Sequence, residues 1–319
     1  MSFTSDTKQE LLRLPDGDSC CKVASLSAML AIGGYLSLSS SGIRIAFQTT
    51  SLPLARKTIK LLKGLYGIEV EVLSKRSVRL KKRDQYIIVV KDKVTLIMRE
   101  LSLMDEERGF ARMVDDSLVF NDCCRRAYLR GAFLTAGSIN HPRSSSYHME
   151  IALEHYSLAE DLRDLMNTFD LKAKALRKKQ RSIVYIKESE RIADFLRIVG
   201  TSQALFTFED ERIKRDFINS ITRVMNMEIA NQNKTFVAAD NQLKNIAVIE
   251  NLLDVEKLPE SMREAIRLRK EYPEASLNEL SEQSERLFSK TISKSALNHR
   301  FRAIAQRAQE ALEAYYDEG

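Results

Sequence analysis

The sequence predicts an α+β protein: two α/β half-units related by an internal pseudo-two-fold, followed by an all-α module. Three observations carry that prediction. SCCKVASLSAMLAIGG at 19–34 returns as DCCRRAYLRGAFLTAG at 122–137 without a gap, Cys20 over Cys123, Leu26 over Leu129 and Gly34 over Gly137, an offset of 103 residues. The segments that follow each copy then come in the same order. From Glu209 onward the chain changes character, and apolar residues recur at helical spacing.

Each half-unit opens with a helix of small residues: Ala24, Ala28, Ala31, Gly33 and Gly34 in the first, Ala127, Gly131, Ala136 and Gly137 in the second. A glycine inside a helix costs about 1 kcal/mol relative to alanine, so close approach of two backbones is a reason to keep it. Burial of each helix against its own sheet is the alternative. IRIAF and VEVL have the β-branched, alternating character of half-buried strands, and between them Ile59, Leu62, Leu65 and Tyr66 share one helical face. QYIIVVK and KVTLIMREL then read as strand and helix. SYHMEIALE, SLAEDLRDLMNTFD, LKAKALRK, SIVYIKE and SERIADFLRIV repeat this order. Ile59, Leu62, Tyr66, Ile68 and Val72 fall over Leu162, Leu165, Phe169, Leu171 and Ala175 at the same offset; after one shortened loop, IIVVKD matches IVYIKE. The half-units are assigned to 1–105 and 106–204.

Residues 205–240 read as a helical connector. Ile213, Phe217, Ile221 and Val224 form one stripe, followed by the polar NQNKTFVAADNQ. The final module, 241–319, is expected to hold helices at 241–253, 259–271 (Pro259 suits a first helical position) and 276–286, with a last one following the N-cap Ser293. In that last helix Leu297, Phe301, Ile304 and Ala308 face inward, leaving Ser295, His299, Arg302 and Gln306 outside, flanked by Asn298.

Charge narrows the function. A net charge of +6 and a pI near 9.0 favour an acidic partner, nucleic acid before membrane surface. No apolar run approaches the roughly 18–20 residues of a membrane span, the start lacks a signal peptide, and two adjacent cysteine pairs are no secreted disulfide framework. A cytoplasmic protein with reduced thiols is expected. No phosphate-binding loop, nucleophile elbow or His-Glu-x-x-His stretch is present, which removes the common hydrolase and nucleotide signals. His141, His148 and His155 recur every seven residues, and with His299 match no zinc pattern. If the two helix starts meet, Cys20, Cys21, Cys123 and Cys124 cluster; four thiolates can bind zinc, but neighbours rarely ligate one ion together, and burial as small apolar groups is commoner. The sequence leaves that open, and no metal or cofactor is assigned.

At LRGAFLTAG, residues 129–137, the pattern resembles the LAGLIDADG signature of homing endonucleases, with Leu129, Gly131 and Gly137 at its leucine and two glycines. LSAMLAIGG, residues 26–34, is the weaker first copy, with Ala28 for the first glycine. In that family two such helices pack across a pseudo-two-fold, antiparallel strands form a saddle over DNA, and an acid before each last glycine binds a divalent metal. Here those positions hold Gly33 and Ala136, and Ala31 and Leu134 replace the earlier acid. Neither small residue can ligate a hard cation, so the resemblance implies a DNA-binding scaffold without cleavage. With MNMEIANQNKTFVAADNQ (225–242) and TISKSALNHRFRAIAQRA (291–308), nearly the whole chain resembles the WhiA-type bacterial regulators, in which a degenerate LAGLIDADG-like domain with antiparallel saddle sheets precedes a helix-turn-helix. That resemblance implies a transcriptional regulator of sporulation or cell division and chromosome segregation, nucleoid-associated, with double-stranded DNA as partner and RNA polymerase or another regulator as a further one. The duplication already supplies a two-fold, so a monomer is expected.

Two basic stretches lie between the last two strands of each half-unit. SKRSVRLKKR (74–83) carries Lys75, Arg76, Arg79, Lys81, Lys82 and Arg83; LKAKALRKKQRSIVYIK (171–187) carries Lys172, Lys174, Arg177, Lys178, Lys179 and Arg181, and neither holds an acid. Neutralising several phosphates releases counterions, so these are candidate DNA contacts. At the C-terminus the candidates are Ser293, Lys294, Ser295, Asn298, His299, Arg300, Arg302 and Gln306, with the first half of their helix in the major groove. Arg302 suits guanine and Asn298 adenine, whereas Lys294 and Arg300 suit phosphates. Two other readings stand beside this one: a metal-dependent endonuclease using Asp115, Asp116 or Glu150, and an adaptor that binds protein.

Overall fold

The computed structural model describes residues 2–39, 42–75, 84–105, 109–178 and 181–317. They divide into a unit that ends at Asp216 and a unit that begins at Phe217.

The N-terminal unit begins with helix α1 (Phe3–Arg13), capped by the Ser2 hydroxyl, which sequence reading did not single out. The first repeat follows as α2 (Ser19–Gly33), β1 (Gly34–Ser39), β2 (Gly42–Thr49), α3 (Leu52–Tyr66), β3 (Glu71–Lys75), β4 (Gln85–Val90) and α4 (Val94–Glu100). A short pair, β5 (Met104–Asp105) and β6 (Gly109–Phe110), leads to the second repeat. It runs α5 (Asp122–Ala136), β7 (Gly137–Ile139), β8 (Met149–Leu153), α6 (Tyr156–Asn167), β9 (Lys174–Lys178), β10 (Arg181–Ile186) and α7 (Ser189–Val199). Both sheets are antiparallel, ordered β1-β2-β4-β3 and β7-β8-β10-β9. The two repeats therefore share one topology.

Strands β1 and β7 are additions to the sequence reading. Each continues directly from its helix, because Gly34 and Gly137 turn the chain to extended geometry with no connecting residues. A side chain at Gly34 would strike the Leu30 carbonyl, and one at Gly137 the Phe133 ring. Along the helices, a Cβ on Gly131 would run into the Ser25 carbonyl and meet the Ala28 methyl, while one on Gly33 would lie 3.1 Å from Thr135. The repeated helices thus form the seam between the repeats. Around it the sheets contribute Ile45, Phe47, Ile88 and Val90 from one repeat and Met149, Ile151, Leu153, Val184 and Ile186 from the other, all buried.

Helix α8 (Ser202–Leu252) runs through the stretch read as a helical connector, 205–240, and continues without a break into the helix expected at 241–253. No Gly or Pro stands between Gly200 and Pro259, so nothing breaks the helix, and its Asn and Gln side chains from Asn219 to Asn241 stand at exposed positions. Its first N–H groups, from Gln203 and Ala204, donate to the Glu10 carboxylate at 2.9 and 3.0 Å. Helices α9 (Glu260–Glu271), α10 (Leu277–Phe288) and α11 (Lys294–Asp317) complete the C-terminal unit. Its core is Ile246, Ile249, Ala265, Ile266, Leu268, Leu280, Leu297, Phe301 and Ile304.

Candidate nucleic-acid interface

Helix α11 has one buried stripe. Leu297, Phe301, Ile304 and Ala308 are at most 4% exposed, while Ser293, Lys294, Ser295, Asn298, His299, Arg302 and Gln306 are exposed. The polar edge is thus set by the 3.6-residue period, and packing of the opposite face fixes its direction. Ser293 accepts from the Ala296 N–H at 3.2 Å as the N-cap. Arg300 is turned away from this edge: with Lys290 it closes on Glu264, at 2.8 and 2.5 Å. Burial pushes the Glu264 carboxyl up, but the two cations outweigh it and hold it below the usual carboxylate range.

The turn from α10 to α11 is pinned by two serines. The Ile292 N–H donates to the buried Ser284 hydroxyl at 2.8 Å, and Ser281 donates to the Ile292 carbonyl at 2.7 Å. Ahead of it, Ser276 and Glu279 form a reciprocal capping box on α10. The FSKTIS connection, residues 288–293, is therefore tied back to α10 through Ile292. Sequence reasoning missed the residue at the centre, Arg269, which is 1% exposed. Its guanidinium donates to Gln242 (2.9 Å) and to the carbonyls of Tyr272, Pro273 and Ala275 (3.2, 3.3 and 2.6 Å), and lies 5.4 Å from the Phe301 ring centre. Beside the start of α11 runs a polar groove lined by Asn231, Lys234, Thr235, Asn278 and Lys294. It brings the asparagine-rich stretch of α8 next to a candidate phosphate contact, a neighbourhood that sequence distance concealed.

In the N-terminal unit, strand alternation sorts the basic residues. Lys174 pairs with Tyr185 and Lys178 with Arg181, on the face opposite buried Val184 and Ile186; Lys75, paired with Gln85, holds the same position in the first sheet. Arg177 falls on the other face, its guanidinium 5.9 Å from the Tyr156 ring centre. Lys172 is 3.9 Å from Glu188. Arg76, Arg79, Lys81, Lys82, Arg83 and Lys179 lie outside the described residues. At one matched position the charge is reversed: Glu71 of β3, paired with Lys91 at 2.6 Å, occupies the place of Lys174.

The acids considered for cleavage are not gathered. Asp115 accepts from the Ser117 N–H and hydroxyl (2.8 and 2.6 Å) within its own turn, and Glu150 meets His148 at 3.0 Å on β8. Among the described residues, the one group of three or more His, Cys, Asp or Glu able to hold a metal is Cys20, Cys21, Cys123 and Cys124. Hydrogen bonding from Cys124 lowers the Cys20 thiol, while burial pushes Cys21 up to about 11 and Cys124 higher still.

Comparison with known proteins follows the same division. Residues 19–104 match the model of the WhiA N-terminal LAGLIDADG-like domain, 125–218 that of the WhiA LAGLIDADG-like domain, and 221–308 that of the WhiA C-terminal HTH domain. A probable cell division protein WhiA from Oceanobacillus iheyensis is 41% identical over 309 residues, covering 97% of each chain. One from Bacillus pumilus is 42% identical over 310 residues, again covering 97% of each. The crystal structure of full-length WhiA from Thermatoga maritima superposes with a TM-score of 0.56 at 24% identity, over 97% of this chain and 99% of that one.

Proposed function

Because the chain belongs to the WhiA family, we propose that it is a non-catalytic, DNA-binding transcription regulator linked to cell division. The observation that carries the reading is the exposed polar edge of α11, backed by a stripe buried in the helix-turn-helix core. A helix so held offers Arg302, Asn298 and His299 to base edges, with Lys294 and the Lys234 groove set for phosphates. Lys75, Lys174, Lys178 and Arg181, on the outward sheet faces, would add sequence-independent contacts, so that two modules on one chain raise each other's effective concentration at a composite site. Gly33 and Ala136, at the helix ends where cleavage would need carboxylates, support the absence of catalysis. Binding as a monomer, association with the nucleoid, control of sporulation or chromosome segregation, and contact with RNA polymerase or another regulator belong to the same reading.

The test is selection from a random duplex pool by the full chain, without Mg²⁺ and at about 150 mM salt, where weak electrostatic binding is suppressed. One motif is expected. Arg302→Ala should lose about 1–3 kcal/mol at one base position and relax the preference there. Lys178→Ala should weaken all sequences alike and flatten the salt dependence. An unchanged profile for Arg302→Ala would favour the adaptor reading instead.

A further inference from the structure

We propose that Cys20, Cys21, Cys123 and Cys124 form a tetrathiolate site for a thiophilic divalent cation, Zn²⁺, which staples the start of α2 to the start of α5. The site lies outside the DNA-binding reading and does not rest on it. All four Sγ atoms lie within 4.8 Å of one another, and Cys123 and Cys124 are 3.9 Å apart. A tetrahedral Zn²⁺ with Zn–S bonds of about 2.3 Å sets its sulfurs about 3.8 Å apart, so small rotations of the side chains bring the four thiols to that spacing.

The objection to vicinal ligands is met by their position. Cys20 and Cys21 are the second and third residues of α2, and Cys123 and Cys124 hold the same places in α5. Residues one apart on a helix diverge by about 100°, but Cα–Cβ bonds tilt toward the N-terminus, so first-turn side chains can converge beyond the helix end. The packing of α2 on α5 then adds the second pair to the first. Burial of Cys21 and Cys124 is offset by the charge of the cation they would hold, and Arg130 is close enough to feel Cys21. Each thiol that ligates releases its proton to solvent. Cys21 and Cys124 are buried and Cys20 and Cys123 exposed, which gives the ion a path in. Four protein sulfurs leave no open position, and the helices are fifteen residues long, so the ion would sit about 20 Å from Gly33 and Ala136. Its role is therefore structural: it ties one repeat to the other at the end of the seam away from those residues.

The test uses the full chain, purified without a histidine tag under reductant. Elemental analysis after desalting should find one Zn²⁺ per chain. Co²⁺ in its place should give thiolate-to-cobalt charge-transfer bands and ligand-field bands of tetrahedral intensity, abolished by added Zn²⁺. Zn²⁺ should also protect all four cysteines from alkylation, and the variant with all four changed to serine should lose both metals. If that variant does not fold, the cobalt spectrum of the unaltered chain decides, since its intensity reports the thiolate ligands. A reduced chain that retains neither metal, with four freely reacting thiols, would overturn the proposal. So would a natively isolated chain whose mass shows the cysteines paired as disulfides and which takes up no cobalt after reduction.

Discussion

The two units fill their interiors with opposite materials. In the N-terminal unit, α2 and α5 meet through Ala28, Gly33, Gly131 and Thr135, and complementarity of shape decides the fit. At the centre of the C-terminal unit is a guanidinium, Arg269, satisfied by one side-chain amide and three carbonyls, with Ser284 pinning the turn beside it. The difference teaches what each unit tolerates. A seam of small residues is hurt by added atoms, whereas a buried polar node is hurt by removed hydrogen bonds.

The largest effect should come from breaking the seam. Gly131→Val places a branched side chain against the Ser25 carbonyl and the Ala28 methyl, where neither backbone can yield. We expect a loss of about 3–4 kcal/mol. Hydrogen exchange read by mass spectrometry should show lost protection in α2 and α5 while α9–α11 keep theirs; equal loss in both units would refute the contrast. The converse is Arg269→Met, which preserves bulk but strands Gln242 and the carbonyls of Tyr272, Pro273 and Ala275. It should cost about 3 kcal/mol, with exchange rising in α9–α11 and unchanged in α2 and α5.

The same contrast explains what the sequence made legible. The seam announces itself, because a shape-fitted interface needs small residues in a run and the duplication writes that run twice. The remaining strands and the inward stripe of α11 follow from periodicity for similar reasons. Arg269 gave no such signal: in the charged stretch RLRKE, residues 267–271, a single arginine reads as solvated, and only tertiary structure brings it its carbonyls. Strands β1 and β7 were missed because the chain passes from helix to strand at one glycine, without the turn residues that usually mark a boundary. The polar stretch of α8 hid the length of that helix, since Asn and Gln suit a connector but do not break a helix, and the chain runs on without interruption to Leu252. For the candidate DNA contacts, charge and spacing singled out the side chains. They could not show that Arg300 is committed to Glu264, or that Arg177 lies on the face opposite Lys174 and Lys178.

The smallest effect sharpens the comparison by placing a charge where shape rules. Lys8 of α1 lies 5.7 Å from the Phe133 ring centre, and burial lowers its ammonium from the ordinary 10.5 to about 8. Below pH 8 the folded chain holds a poorly hydrated charge that the unfolded chain leaves in water, so Lys8 destabilises the fold there. Between about 8 and 10.5 the folded chain has shed a proton that the unfolded chain still binds, and stability from this group rises with pH. Lys8→Met should therefore stabilise the N-terminal unit by about 2 kcal/mol near pH 7, with the advantage shrinking steadily toward pH 10. Urea unfolding of both chains across that range measures it. A gain that does not depend on pH would mean that Lys8 costs the fold through packing rather than charge, and a loss at pH 7 would mean that the ring and its surroundings favour the ammonium after all.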